Sequence, residues 1–164
     1  MESPSKVDAM LKHGFDGLKG TLEQRVQELA DREEIKELVS RYAQCITRRL
    51  PIADMFTDDG AFILRLPGAS VEETRGRAEL IKLYAMNRPA INMPALHNHV
   101  ISVSGDEAIG TSWIELYMTD DTKADKRTYA GSGYYADQLR RENARWKFAV
   151  RDATFLHWVY VPPS

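Results

Sequence analysis

The sequence predicts an α+β domain in which helices come first and a sheet of long antiparallel strands follows. Two observations support this class. In the first half of the chain apolar side chains recur at intervals of three and four residues, the period of an amphipathic helix. In the second half, four segments rich in β-branched and aromatic residues are separated by short polar stretches, which is typical of a β-meander.

The first half contains three predicted helical segments. Residues 7–30 have a helical apolar pattern that three glycines interrupt, which predicts a loose helical extension. Asp31 and Glu34 have the spacing of a helix N-cap and its capping-box partner, and an apolar stripe follows over residues 35–46. Residues 76–88 predict a further helix that ends before a proline.

The strands are predicted from alternation and from the turns between them. Residues 61–66 form a first short strand, after a helical or turn segment that ends in Asp58, Asp59 and Gly60. Polar residues at 104–106, 119–121 and 142–144 predict hairpin turns, so the long strands are expected to pair antiparallel in chain order. These four strands are predicted at residues 96–103, 108–118, 127–140 and 145–161.

Composition limits the classes of partner. A length of 164 residues with 43% hydrophobic and 28% charged residues fits one globular domain. The net charge of -2 gives no broad attraction to nucleic acid or to anionic membranes, so neither is expected as a partner. A single cysteine, Cys45, allows no internal disulfide, and no stretch resembles a signal peptide or a membrane span. These features predict a cytoplasmic protein.

Five segments, in order, resemble the SnoaL-like branch of the nuclear transport factor 2-like superfamily. The resemblance covers about residues 28–160 and implies a cone-shaped α+β barrel, in which a curved antiparallel sheet wraps around N-terminal helices. It divides the chain into a helical extension at 1–27 and a SnoaL-like domain at 28–164. The segments are DREEIKELVSRYA, FTDDGAF, GRAELIKLY, HNHVISVSGDEAIG and RRENARWKFAVRDATF.

The superfamily includes scytalone dehydratase, ketosteroid isomerase, polyketide cyclases and the non-catalytic small subunits of aromatic-ring dioxygenases. Its dehydratase-like members use a helix aspartate and a strand histidine with tyrosines. Here Thr47 stands where the aspartate is expected, and the histidine position falls at Met93 or Pro94. The usual dyad is therefore not reproduced, and Thr47 is retained as a candidate substrate-binding residue.

Two histidines and two tyrosines are the main candidates for chemistry. His97 and His99 are two apart on a predicted strand, so both are expected on one face of the sheet. We assign His97 as the proton shuttle and His99 to substrate binding, since imidazole exchanges protons near neutral pH. The alternative is a strand-end histidine bonded to a neighbouring loop. Tyr42 and Tyr135 are assigned to holding a substrate oxygen, although such tyrosines are more often core residues.

Two further polar residues are assigned to substrate binding. Ser112 takes a position that the resemblance places in the pocket, and Arg151 suits a carboxylate or enolate oxygen. The alternative for Arg151 is a surface ion pair with Asp152 or Asp137. The sequence shows no persuasive metal-ligand spacing, so no metal is expected. The GSG run at residues 131–133 is interpreted as close strand packing.

The leading functional hypothesis is a cofactor-independent lyase or isomerase, of dehydratase or cyclase type, acting on a small cyclic or polyketide-like carbonyl compound. One alternative is a non-catalytic assembly subunit similar to a dioxygenase small subunit. Trp113, Glu115 and Tyr117 share a strand face that suits a subunit interface. Another is a domain that binds a hydrophobic ligand. A homo-oligomer is expected in each case, a dimer or else a trimer.

Overall fold

A computed structural model describes residues 6–14, 17–86, 90–120 and 127–162 of the chain. Its helices are α1 (Lys6–His13), α2 (Leu22–Thr47) and α3 (Arg77–Met86), with a 3₁₀ turn at Ala53–Met55. Its strands are β1 (Phe56–Arg65), β2 (Glu72–Arg75), β3 (Ala90–Ser104), β4 (Glu107–Asp120), β5 (Thr128–Glu142) and β6 (Arg145–Val161).

The six strands form one curved sheet in the order β2-β1-β6-β5-β4-β3, which confirms the α+β class. The four long strands pair antiparallel in chain order, as predicted. However, β1 pairs in parallel with β6, so the sheet is mixed rather than wholly antiparallel, and it stays open between its edges β2 and β3. The predicted turn at 119–121 and the proline after α3 extend beyond the described residues.

Helix α2 begins earlier than its apolar stripe suggests. Thr21 is its N-cap, and Thr21 and Gln24 form a complete capping box. The predicted cap at Asp31 is therefore wrong: Asp31 lies inside the helix and accepts hydrogen bonds from the side chains of Arg141 and Trp146. Burial alone would raise the pKa of Asp31, but these hydrogen bonds outweigh burial and lower it.

The core lies between α2 and the concave face of the sheet. Ile35, Val39 and Tyr42 on α2 are almost fully buried, together with Phe56 on β1 and Phe148 on β6. Successive residues of β4 alternate between buried and less buried over Ala108–Trp113, as expected for a sheet with one face on the core. In the described part of the chain, no helix is long and apolar enough to cross a membrane.

Candidate functional site

A cavity of about 270 Å³ lies between α2, α3 and the concave face of the sheet. It is near the end of the sheet where β1, β4 and β6 end and where β3 and β5 begin. Most of its wall is apolar, and its polar side chains are three tyrosines and one asparagine. The wall consists of Tyr42, Ile46, Phe62, Leu64, Leu66, Tyr84, Asn92, Pro94, Ile114, Leu116, Met118, Tyr135, Ala153, Phe155 and Trp158.

Three phenols from different elements meet at this cavity. Tyr42 comes from α2, Tyr84 from α3 and Tyr135 from β5, and the hydroxyls of Tyr42 and Tyr84 are 3.1 Å apart. Burial raises the pKa of all three phenols, so they remain protonated. One hydroxyl proton serves the bond between Tyr42 and Tyr84. The other proton of this pair can bond to a further acceptor oxygen.

A buried cation packs against the rings of two of these tyrosines. Arg151 on β6 has no exposed surface, and its Cζ lies 3.7 Å from the centre of the Tyr135 ring and 4.2 Å from that of Tyr42. A third ring, Phe148, lies 4.4 Å from Cζ. At these distances a guanidinium is attracted to ring faces, and the attraction is larger where water is excluded. These contacts therefore restrict the position of the guanidinium group and of the three rings around it.

Asp137 neutralises this cation with a single hydrogen bond. Arg151 Nη1 donates to Asp137 Oδ2 over 3.0 Å, and Asp137 is only 2% exposed. Burial raises the pKa of Asp137 to about 6, because the nearby charge of Arg151 offsets only part of the cost of removing the carboxylate from water. Asp137 therefore changes its charge close to neutral pH.

Four buried polar atoms around this pair lack a hydrogen-bond partner within the described residues. They are Arg151 Nε, Arg151 Nη2, Asp137 Oδ1 and Ser112 Oγ. Ser112 is paired with Tyr135 across β4 and β5, and Asp137 is paired with Arg151 across β5 and β6. Buried polar groups in proteins are nearly always hydrogen-bonded to protein or to ordered water, so these four atoms have the capacity to bond a water molecule or a polar group of a ligand.

Of the seven residues singled out from sequence, the structure brings four together. Tyr42, Tyr135, Ser112 and Arg151 are all buried on the concave side. Arg151 does pair with Asp137, but the expected surface location of that pair is wrong, since both residues are buried. Thr47 is exposed, and its hydroxyl donates to the carbonyl oxygen of Ala43 on the preceding helical turn.

The two histidines do not share the arrangement expected of a regular strand. The register of β3 against β4 shifts between His97 and Val100, where Asn98 has a positive φ of 56°. His97 lies opposite the exposed Trp113, with 43% of its side chain exposed and its Nε2 4.0 Å from Glu115. It does not line the cavity. Its catalytic role stays a prediction.

His99 lies within the bulge, between His97 and Val100, and is half-buried. Burial, and then the positive charges of Arg151 and Lys36, lower its pKa. His99 therefore lies within electrostatic reach of the buried cation and is neutral at physiological pH, although it does not line the cavity. In the described part of the chain, no three His, Cys, Asp or Glu side chains are grouped to hold a metal ion.

Three contributors to the site were not identified from sequence. Tyr84 lies in the predicted helix at residues 76–88 but is not singled out by the sequence pattern, and Asp137 is considered there only as a surface partner of Arg151. Alternation along β5 places Asp137 on the same face as Tyr135, which is a signal that was available. Trp158 lies in the last predicted strand, and it lines the cavity because of a bulge that the sequence pattern does not reveal.

The sequence and the fold both match known proteins. The model of the SnoaL-like domain family matches residues 27–152. No protein of curated function matches the sequence. Three solved structures from Novosphingobium aromaticivorans are similar in fold.

The first is an NTF2-like protein with a cystatin-like fold; it is 23% identical, with 87% of this chain and 92% of that chain covered and a TM-score of 0.61. The second is assigned as a scytalone dehydratase (18% identity, 80% and 88% covered, TM-score 0.69). The third is assigned as the beta subunit of an aromatic-ring-hydroxylating dioxygenase (17% identity, 79% and 91% covered, TM-score 0.64). At these identities the similarity shows the fold alone. The family match covers most of the chain, and the chain therefore belongs to the SnoaL-like domain family.

Proposed function

We propose that the chain binds a small, mostly apolar carbonyl compound in the central cavity and acts on it as a lyase or isomerase without a cofactor. The observation that carries this proposal is the set of three phenols, from Tyr42, Tyr84 and Tyr135, at one apolar cavity, with the buried cation of Arg151 packed against two of their rings. Small-molecule sites commonly combine an apolar wall with a few fixed polar groups.

The phenols suit the oxygen end of such a substrate. A carbonyl oxygen accepts a hydrogen bond from a protonated tyrosine, and the bond strengthens as the oxygen gains negative charge in an enolate-like transition state. The buried guanidinium of Arg151, stacked on the rings of Tyr42 and Tyr135, adds a positive potential that favours the same charge. Dehydration, isomerisation and aldol-type cyclisation all pass through such an oxyanion.

The proton acceptor in such a reaction must come from outside the described cavity wall. The residues that line the cavity include no carboxylate and no imidazole within the described chain. Asp137 lies two residues from Tyr135 on the same face of β5, and its pKa of about 6 is near the value that suits a general base at neutral pH. His97, the acceptor assigned from sequence, is the alternative, although it lies outside the cavity wall.

The first experiment measures binding and turnover of a panel of cyclic enones and hydroxyketones. Tyr135→Phe removes one buried hydroxyl, and Tyr134→Phe removes the hydroxyl of the adjacent residue on the exposed face of the sheet as a matched control. Loss of one oxyanion donor lowers turnover on the order of 100-fold. We expect this loss for Tyr135→Phe and none for Tyr134→Phe. Equal activity of both variants and the wild type would contradict the proposal.

A second experiment identifies the proton acceptor from the pH dependence of turnover. If Asp137 is the base, the wild-type rate has an inflection near pH 6, and Asp137→Asn removes both the inflection and most of the rate. His97→Gln should then keep the inflection. The opposite pattern would assign the role to His97. Binding without turnover in every variant would instead make the chain a ligand-binding domain.

A non-catalytic assembly role is a second candidate, and one observation favours it. Trp113, Tyr117 and Tyr134 are 40%, 52% and 36% exposed on the convex face of the sheet. Aromatic side chains are enriched at protein interfaces. We therefore propose that the chain forms a homo-oligomer, a dimer or else a trimer. Mass measurement in solution tests this directly, and a monomer at all concentrations would refute it.

A further inference from the structure

Trp158 occupies a defined place at one end of the central cavity. It lies near the end of β6, and it lines the cavity together with Phe155 and with Met118 from β4. Tryptophan combines a large flat ring with little conformational freedom, so its position strongly affects the shape of a small cavity. The position of this ring depends on two local features of the sheet.

The first feature is a β-bulge that turns Trp158 inward. Phe155 is paired with Gly133, whereas His157 is paired with Ser132, so Leu156 is an extra residue in β6. Residues three apart on a regular strand point to opposite faces. Because of the extra residue, Phe155 and Trp158 both face the cavity. Leu156 itself is 62% exposed.

The second feature is the absence of a side chain opposite the indole. Gly131 is paired with Trp158, and a Cβ at Gly131 would lie 2.3 Å from Cε3 of the indole and 2.9 Å from Cζ3. Any larger residue at this position would displace the ring. On its other sides the indole is stacked on Tyr129, with ring centres 5.9 Å apart and an angle of 8°, and it meets the edge of Phe155 at 5.1 Å. These contacts therefore hold the indole in one position in the cavity wall.

We propose that Trp158 is the residue that sets ligand size at its end of the central cavity, restricting ligands to compounds of one ring or two fused rings. This inference rests on the proposed function, since it names the class of compound that the same site accepts. A dry cavity of about 150 Å³ holds benzene, and drug-sized ligands need about 300–1,000 Å³. The cavity here, at about 270 Å³, lies between these values.

The test compares ligands of one, two and three fused rings, each carrying one ketone and one hydroxyl group. Dissociation constants are measured by calorimetry for the wild type, Trp158→Ala and Trp158→Phe. Leu29→Ala is the control, because Leu29 is a large apolar side chain on α2 that is 53% exposed and does not line the cavity. Thermal unfolding of each variant shows whether it is folded, and Trp158→Phe preserves a flat ring if the alanine variant is unstable.

We expect the wild type and Leu29→Ala to bind the one- and two-ring compounds and to reject the three-ring compound. Trp158→Ala should bind the three-ring compound at least tenfold more tightly than the wild type does and the one-ring compound at least tenfold less tightly, with Trp158→Phe between them. If the ratio of the affinities for large and small ligands is the same in all variants, the inference is overturned while the proposed function stands. If the wild type binds none of the compounds, the proposed function fails and the inference fails with it.

Discussion

The buried pair of Arg151 and Asp137 leads to a quantitative prediction about stability. The substitution Arg151→Met removes the guanidinium but keeps a long apolar side chain among the rings of Tyr42, Tyr135 and Phe148. It leaves the carboxyl group of Asp137, which is 2% exposed, without its one hydrogen-bond partner. Removing one member of a buried pair costs about 3–5 kcal/mol, because the other member stays buried without compensation.

The double substitution Arg151→Met with Asp137→Val removes the remaining polar group as well. Valine suits a strand, and replacing a buried ion pair by apolar residues is often neutral or stabilising. The pair in this protein is poorly satisfied, with three of its nitrogen and oxygen atoms lacking partners within the described residues. We therefore expect the double variant to unfold with a free energy within about 1 kcal/mol of that of the wild type or above it.

Urea unfolding followed by circular dichroism at pH 7.5 measures all four proteins of this cycle, with Asp137→Val as the fourth. The expected coupling energy between the two sites is about 3 kcal/mol or more. Single substitutions that each cost less than about 1 kcal/mol, or costs that simply add in the double variant, would refute the account of this pair as mutually dependent buried charges.

Two further predictions concern Asp137 and the last hairpin. Burial raises the pKa of Asp137 from 3.8 to about 6, so the folded state binds the proton more tightly than the unfolded state. The free energy of unfolding of the wild type minus that of Asp137→Asn should therefore be greatest below pH 4 and fall by about 3 kcal/mol as the pH rises through 6. Urea unfolding of both proteins at each pH measures this difference. Asn143 and Ala144 connect β5 to β6 with φ values of 53° and 58°, a conformation that glycine adopts more easily. Ala144→Gly should raise the free energy of unfolding by roughly 0.5–1 kcal/mol, and a lower melting temperature for this variant would contradict that reading.

The sequence by itself determined the fold class and the approximate positions of α3 and the four long strands. It did not predict β2, and the helical or turn segment predicted before residue 61 is wrong over residues 56–60, because β1 already begins at Phe56. Periodicity identified the apolar stripe of α2 and the four long strands, because both depend on which side chains must leave water. The turn at Asn143 was likewise visible as a polar break between two alternating segments. The parallel pairing of β1 with β6 was not visible, since it joins residues about 90 positions apart and no local signal records it.

The candidate site, too, was indicated in part by the sequence and decided in part by the tertiary structure. Alternation along β5 placed Tyr135 and Asp137 on one face, and the sequence identified Arg151 and Ser112 as polar residues of neighbouring strands. Only the tertiary structure decided that these side chains meet in the core and that Tyr84 joins them from a separate helix. Contact across strands and helices depends on register and packing.

Two bulges explain the main differences at single residues. One extra residue in a strand reverses the face of every residue that follows it, and the sequence pattern does not state where the extra residue falls. Because of the bulge in β3, His97 and His99 do not have the regular alternation expected of two residues on one face. The bulge in β6 brings Trp158 into the cavity. The sequence determined which side chains are available for chemistry, and the register of the folded sheet decided which of them face the cavity.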